Sequence, residues 1–187
     1  NKIFEGKHTN IIEFGTDRGA TLTTISKFIK KDSNIFSVDS FGFHAEEIKK
    51  NISKHDEHYQ GTYKPFTKNT RFRNFDHTEM TKNLNIILSK KNSKLDTIVG
   101  YFPKLDRNSM NKISQLKYSF VHLDFDLYQP TIDCFNFIKN RLEKNAIILF
   151  DDYNFINQEG VKKAVTDLKI DLDKTFQTQS GQLIFFN

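Results

Sequence analysis

The chain has 187 residues, with 28 Lys and Arg against 23 Asp and Glu and a formal charge of +5. That length suits one domain with a core large enough to fold unaided, and a lone cysteine, Cys134, excludes an intramolecular disulfide or a cysteine-rich zinc site. The longest aliphatic or aromatic run, Ala146–Phe150, falls far short of the roughly 20 residues of a membrane span, and no basic-then-apolar leader opens the chain, so a cytoplasmic protein without membrane contact is expected.

Asn10–Phe14 is an apolar run that predicts a strand ending at Gly15, and Leu22, Ile25, Phe28 and Ile29 fall at helical spacing within 18–31. Asn34–Val38 predicts a second strand, ending at Asp39. Residues 42–76 are polar and read as a lid-like loop with a short helix near 46–54. A helix over 78–91 (Leu84, Ile87, Leu88) precedes a third strand at 95–99 and a short helix at 109–116. A fourth strand covers 119–124, and a helix covers 130–142 with Ile132, Phe135, Ile138 and Leu142 inward; proline is harmless in its first turn. A fifth strand at 146–150, a helix at 159–168 and a hairpin of 174–178 with 182–186 complete the chain.

Alternating strands and helices, with near-continuous apolar strands, predict an α/β fold: a mostly parallel sheet covered by helices on both faces, in one domain over 1–187. Right-handed crossovers then put every strand-to-helix loop at the carboxyl edge, where such folds bind ligands.

Three groups of residues stand at that edge. Glu13-Phe14-Gly15-Thr16-Asp17-Arg18-Gly19 joins the first strand to the first helix. Glycines there permit close backbone approach to a ligand, and Glu13 suits a cationic one, such as an amino-acid ammonium. The Gly-x-x-x-Gly spacing departs from the Gly-x-Gly-x-x-Gly of dinucleotide binders, and an ordinary tight turn is the alternative. Asp39 follows Gly19 by 20 residues, a spacing that suits an acceptor for ribose hydroxyls; a turn-forming Asp is the alternative. Leu123-Asp124-Phe125-Asp126 and Asp151-Asp152 close the fourth and fifth strands. If these strands are neighbours, about 4.8 Å apart, at least three carboxylates converge, and a divalent cation relieves their repulsion. An all-oxygen set suits Mg2+, Mn2+ or Ca2+. Asp126 has the alternative of capping the next helix.

His122 reads as a core histidine, Cys134 as packing, and His55-Asp56-Glu57-His58 as a solvated loop rather than a metal site. Tyr101-Phe102-Pro103 either floors an adenine pocket or anchors its loop. Five Arg among 28 basic residues, with Lys scattered along the chain, describe a solvated surface, so nucleic acid is not the expected partner.

These segments together resemble the macrocin O-methyltransferase family of class I, S-adenosylmethionine-dependent enzymes. The matching pieces are Glu-Phe-Gly-Thr-x-x-Gly at 13–19, Val-Asp-Ser-Phe-Gly at 38–42, Gly-Tyr-Phe-Pro at 100–103, Leu-Asp-x-Asp-Leu-Tyr-x-x-Thr at 123–131 and Asp-Asp-Tyr at 151–153. The resemblance implies a Rossmann-like, seven-stranded sheet in order 3-2-1-4-5-7-6. It implies Mg2+-dependent methylation of a sugar hydroxyl on a glycan, nucleotide sugar or natural product. It places S-adenosylmethionine on Glu13, Gly15, Thr16, Asp17, Gly19, Asp39, Ser40, Gly100 and Tyr101. It places Mg2+ on Asp124, Asp151 and Asp152, with Asp124 also the general base. Members of that family carry an N-terminal lid ahead of the first strand, and they tend to have Leu-Pro where Phe43-His44 stands. The implied partner is a small molecule or glycan with vicinal hydroxyls, and a homo-oligomer is compatible with the sequence. The alternatives are a catechol-type O-methyltransferase, a non-catalytic domain, or a nucleic-acid-binding one. A base-amino methyltransferase would carry Asn/Asp-Pro-Pro-aromatic after the fourth strand, where Asp-Phe-Asp-Leu stands.

Overall fold

A computed structural model describes residues 9–42, 50, 52–56, 76–155 and 159–187. Seven strands among these residues form one sheet: β1 (Asn10–Phe14), β2 (Asn34–Asp39), β3 (Lys94–Val99), β4 (Tyr118–Leu123), β5 (Leu142–Phe150), β6 (Thr175–Gln177) and β7 (Leu183–Phe186). Their order is β3-β2-β1-β4-β5-β7-β6, parallel through β5, with β7 antiparallel to both β5 and β6. The order is the one implied by the resemblance, and the terminal hairpin is the one read from the sequence.

The central strands are apolar because both faces are covered. Side chains alternate across a strand, so Ile11 and Ile35 join one cluster while Ile12, Phe14, Phe36 and Val38 join the other. Helices α1 (Ala20–Phe28) and α2 (His77–Ser89) close the first cluster with Leu22, Leu84 and Leu88. Helices α3 (Arg107–Ser114), α4 (Tyr128–Ile138) and α5 (Glu159–Asp167) close the second with Ile113, Cys134, Ile138 and Val165. Cys134 is fully buried packing, as expected.

Local chemistry sets the helix ends. Asp76 and Asp106 accept backbone N–H bonds at the starts of α2 and α3. Lys91 Nζ donates to the carbonyls of Ser26, Lys27 and Ile29, neutralising the C-terminal end of α1. Helix α1 is shorter than the periodicity over 18–31 predicts, because Gly19 is left-handed and Ile29 is extended. The helix expected over 130–142 ends at Ile138. Leu142 opens β5 instead of packing inside a helix, because its backbone pairs with β4 at Tyr118. Strand β4 stops at Leu123, so Asp124 lies just beyond it.

Residues 43–49, 51 and 57–75, which include most of the expected lid and its short helix together with His44 and His58, lie outside the described residues; Ile52–Lys54 are not helical. Among the described residues, no helix is long and apolar enough to cross a membrane.

Candidate active site

The strand ends are stitched together by backbone bonds one residue beyond the ladder. Gly15 N–H donates to Val38 O, Gly100 N–H to Asp39 O, Asp124 N–H to Phe14 O and Asp151 N–H to Leu123 O, each at 2.8–2.9 Å. These bonds line up the residues singled out by sequence along one carboxyl edge. Toward β3 lie Gly15–Gly19, Asp39, Ser40, Gly100 and Tyr101; toward β5 lie Asp124, Asp126, Asp151 and Asp152.

The β1–α1 turn is held from below. Gly15 has φ +86°, and a Cβ there would lie 1.8 Å from the carbonyl oxygen of Asp124. Its glycine is thus required by the chain's own backbone, a reason that the ligand-approach argument from sequence does not supply. Gly19, at φ +74°, starts α1, and no side chain among the described residues caps that helix, so its first N–H groups face the turn. The Thr16 hydroxyl is turned inward, accepting from Ser37 Oγ at 2.9 Å, and serves as an anchor.

Asp39 is held by two backbone donors. Its Oδ1 accepts the Phe41 N–H at 2.6 Å, the turn-forming role, and its Oδ2 accepts the Asp17 N–H at 2.7 Å, which ties β2 to the turn. Burial raises its pKa despite these two bonds. Each oxygen retains a further lone pair for a ligand hydroxyl. Phe102 packs against Phe14, Phe125 and Phe137, which is the anchoring role. Tyr101 is buried beside it, and Gly100 is buried too.

The acidic end is the densest part of the site. Potential ligand atoms of Asp124, Asp126 and Asp152 lie within 4.8 Å of one another, and so do those of His122, Asp124 and Asp151; Asp124 belongs to both groups. Asp126 and Asp152 adopt left-handed backbone, at φ 60° and 55°. Burial, chiefly, lifts the Asp124 carboxyl to about 8, and Asp126, Asp151 and Glu13 push the same way against His122. Burial also raises Asp152, reinforced by Asp126 and Asp124. Carboxyls this close hold protons unless a cation compensates. Four carboxylates needing positive charge form a donor set that fits a hard divalent ion.

Beneath this cluster, Glu13 and His122 are 1% and 0% exposed. They face each other in the β1–β4 register, and His122 Nδ1 lies 2.8 Å from Glu13 Oε1. When Glu13 is ionised its oxygen only accepts, and Nδ1 then carries the proton of this bond. His122 Nε2 lies 3.4 Å from Asp151 Oδ2, in ion-pair range but not aligned as a hydrogen bond. Burial disfavours the charged imidazole, yet Asp151 and Glu13 together lift its pKa to about 10. Burial would raise Asp151, but His122 brings it below the usual carboxylate range. Burial raises Glu13 in spite of His122.

Three expectations change. Asp126 does not cap α4: the cap position is Leu127, and the Tyr128 N–H is taken at 2.9 Å by Asp56. Asp126 instead joins the acidic cluster, and the Asp-x-Asp spacing was its signal in the sequence. His122 is buried as a core histidine would be, but it links Glu13 to Asp151; its place two residues before Asp124, on the same strand face, was the signal. Asp56 was read as solvated loop and is only 3% exposed. It also accepts from Ser53 N–H and Ser53 Oγ, and a Cβ on Gly160 would lie 1.8 Å from its Oδ1. No local pattern reveals a cap supplied from 72 residues away.

The sequence profile described as "Methyltransferase domain" matches residues 12–153. No curated protein matches the sequence. Among solved structures, the chain is similar to CalS11, a calicheamicin methyltransferase, with TM-score 0.70 and 18% identity over 95% of this chain and 72% of that one. The O-methyltransferase NovP gives TM-score 0.69 and 15% identity, covering 96% and 72%. An O-methyltransferase from Bacillus cereus in complex with SAH gives 0.52 and 11%, covering 95% and 74%. At these identities the likeness is one of fold.

Proposed function

The chain belongs to the methyltransferase-domain family, and from that premise we propose that it moves the methyl group of S-adenosylmethionine to a sugar hydroxyl, with Mg2+, in the manner of the macrocin O-methyltransferases. The observation that carries this reading is the abutment of Gly15 on Asp124, which sets the acidic cluster directly against the turn where the methyl donor would rest. It is also supported by the similarity to CalS11, which is described as a TDP-rhamnose 3'-O-methyltransferase.

In this reading Glu13 faces the donor's ammonium end, the free N–H groups at the start of α1 face its carboxylate, and Asp39 accepts from its ribose. Asp124, Asp151 and Asp152 would hold Mg2+, with Asp126 beside them. Mg2+, when bound, supplies Lewis acidity that lowers the pKa of a sugar hydroxyl and orients it. Asp124 accepts the hydroxyl proton as oxygen takes the methyl carbon and the sulfur leaves as a neutral thioether. Alignment of oxygen, carbon and sulfur contributes roughly 7–11 kcal/mol in favourable cases.

The test is methyl transfer from labelled S-adenosylmethionine to a panel of nucleotide sugars, glycosides and catechols, with and without EDTA. Turnover on sugars that EDTA abolishes and Mg2+ restores is the expected result. Preference for catechols would replace the sugar reading with the aromatic one, and indifference to chelator would remove the cation.

A further inference from the structure

Glu13, His122 and Asp151 form a continuous line across β1, β4 and β5, from the proposed donor end of the site to the acidic cluster. The line is built into the sheet. Glu13 and His122 occupy facing register positions on adjacent parallel strands, and Asp151 follows β5 directly, its N–H bonded to Leu123 O of β4. The imidazole has no exposed surface, so solvent does not satisfy it. Its two nitrogens are engaged differently. Nδ1 is hydrogen-bonded at 2.8 Å to Glu13, while Nε2, at 3.4 Å from Asp151 Oδ2, has no hydrogen-bond partner among the described residues. Glu13 Oε2 likewise has none among them. Two buried polar atoms left incomplete on the same short line is costly unless ligand binding draws the groups together.

We propose that His122 is a positioning residue with separable halves: Nδ1 orients Glu13 toward the cationic methyl donor, and Nε2 orients Asp151 toward the divalent cation. The proposal rests on the donor-and-cation reading of the site. Partners standing behind a metal-binding carboxylate typically change metal affinity about 10–100-fold when removed. A buried hydrogen bond to a charged group is worth a comparable factor, about 10-fold or more.

The two halves are separated by two substitutions. In His122→Asn the amide reaches about as far as Nδ1 and not to Asp151. In His122→Gln the amide reaches about as far as Nε2 and leaves Glu13. The measurements use the full chain: Mn2+ binding by electron paramagnetic resonance, S-adenosylmethionine binding by calorimetry, and thermal unfolding of each variant. The expected result is a crossed pattern. H122N loses about 10-fold or more in Mn2+ affinity and keeps the donor's, while H122Q loses about 10-fold in donor affinity and keeps that of Mn2+. Wild-type affinities in both variants would overturn the proposal. So would equal losses of both ligands in both variants in step with a lowered Tm, the pattern of a merely structural histidine. A wild-type chain that binds neither ligand would overturn the functional reading itself, and the inference with it.

Discussion

Gly15→Ala puts the geometry of the site to its most direct test. At φ +86° an alanine adopts backbone that L residues rarely use, costing roughly 1–2 kcal/mol. The larger effect is steric. The new Cβ would lie 1.8 Å from the Asp124 carbonyl oxygen, where contacts of real Cβ atoms stay above 3.0 Å, so backbone must separate by 1.2 Å (3.0 − 1.8). The opposing group is main chain, held by the Asp124 N–H bond to Phe14 O, and it has no flexible end to swing aside. Forcing such a site apart costs roughly 1–3 kcal/mol more. The sum, about 2–5 kcal/mol, lowers Tm by roughly 2–4 °C for each kcal/mol in a chain of this size. Because the displaced residue is Asp124, turnover falls about 100-fold, the cost of a misplacement near 1 Å. Calorimetry and labelled methyl transfer measure the two effects. Gly100→Ala is the control: its Cβ would meet only the Cδ2 of Leu105, a side chain that can shift, and its Tm stays close to wild type. A Gly15→Ala enzyme with wild-type Tm and turnover would refute the claim that the turn and the acidic cluster share one packed junction.

Asp124→Asn keeps the shape of the side chain and removes its ability to accept a proton, so turnover falls by at least about 100-fold while S-adenosylmethionine binding by calorimetry stays near wild type; full activity would take Asp124 out of the chemistry. For pH, Asp124 is raised from 3.8 to about 8 on folding, so its contribution to stability is complete below about pH 4 and is lost as pH climbs to about 8; Asp152 acts in the same direction. His122, raised from 6.5 to about 10, adds stability that is complete below about pH 6.5 and is lost as pH climbs to about 10, and Asp151, lowered, adds stability lost only at the acid end. Mg2+ competes with the protons on Asp124 and Asp152, so the Tm gain from Mg2+ is larger at pH 8.5 than at pH 6; a gain independent of pH would contradict this. Asp56→Ala strips acceptors from the Tyr128 N–H at the start of α4 and from the Ser53 N–H, costs about 1–3 kcal/mol, and lowers Tm by several degrees without help from Mg2+; an unchanged melting curve would show that the cap is dispensable.

Local patterns carried the alternation of elements, because a buried parallel strand has to be apolar and a covering helix has to repeat near 3.6 residues; Ile11-Ile12 in β1 and Leu84 with Leu88 in α2 announce both. Those patterns also placed Glu13, Asp39, Asp124, Asp151 and Asp152 at or just beyond the carboxyl ends of strands, and topology rules then put every such end on one edge. They could not say which side chains touch. Pairing of β1 with β4 decided that Glu13 meets His122, and the junction at Gly15 decided that the glycine serves the Asp124 backbone. Pairing of β4 with β5 likewise moved Leu142 from helix to strand. The cap of α4 came from Asp56, leaving Asp126 to join the acidic cluster. These contacts join residues from 24 (142 − 118) to 109 positions apart. Spacing in a sequence reports neighbours along one helix or strand; closeness across strands exists only once hydrogen-bond register and packing have set one element beside another.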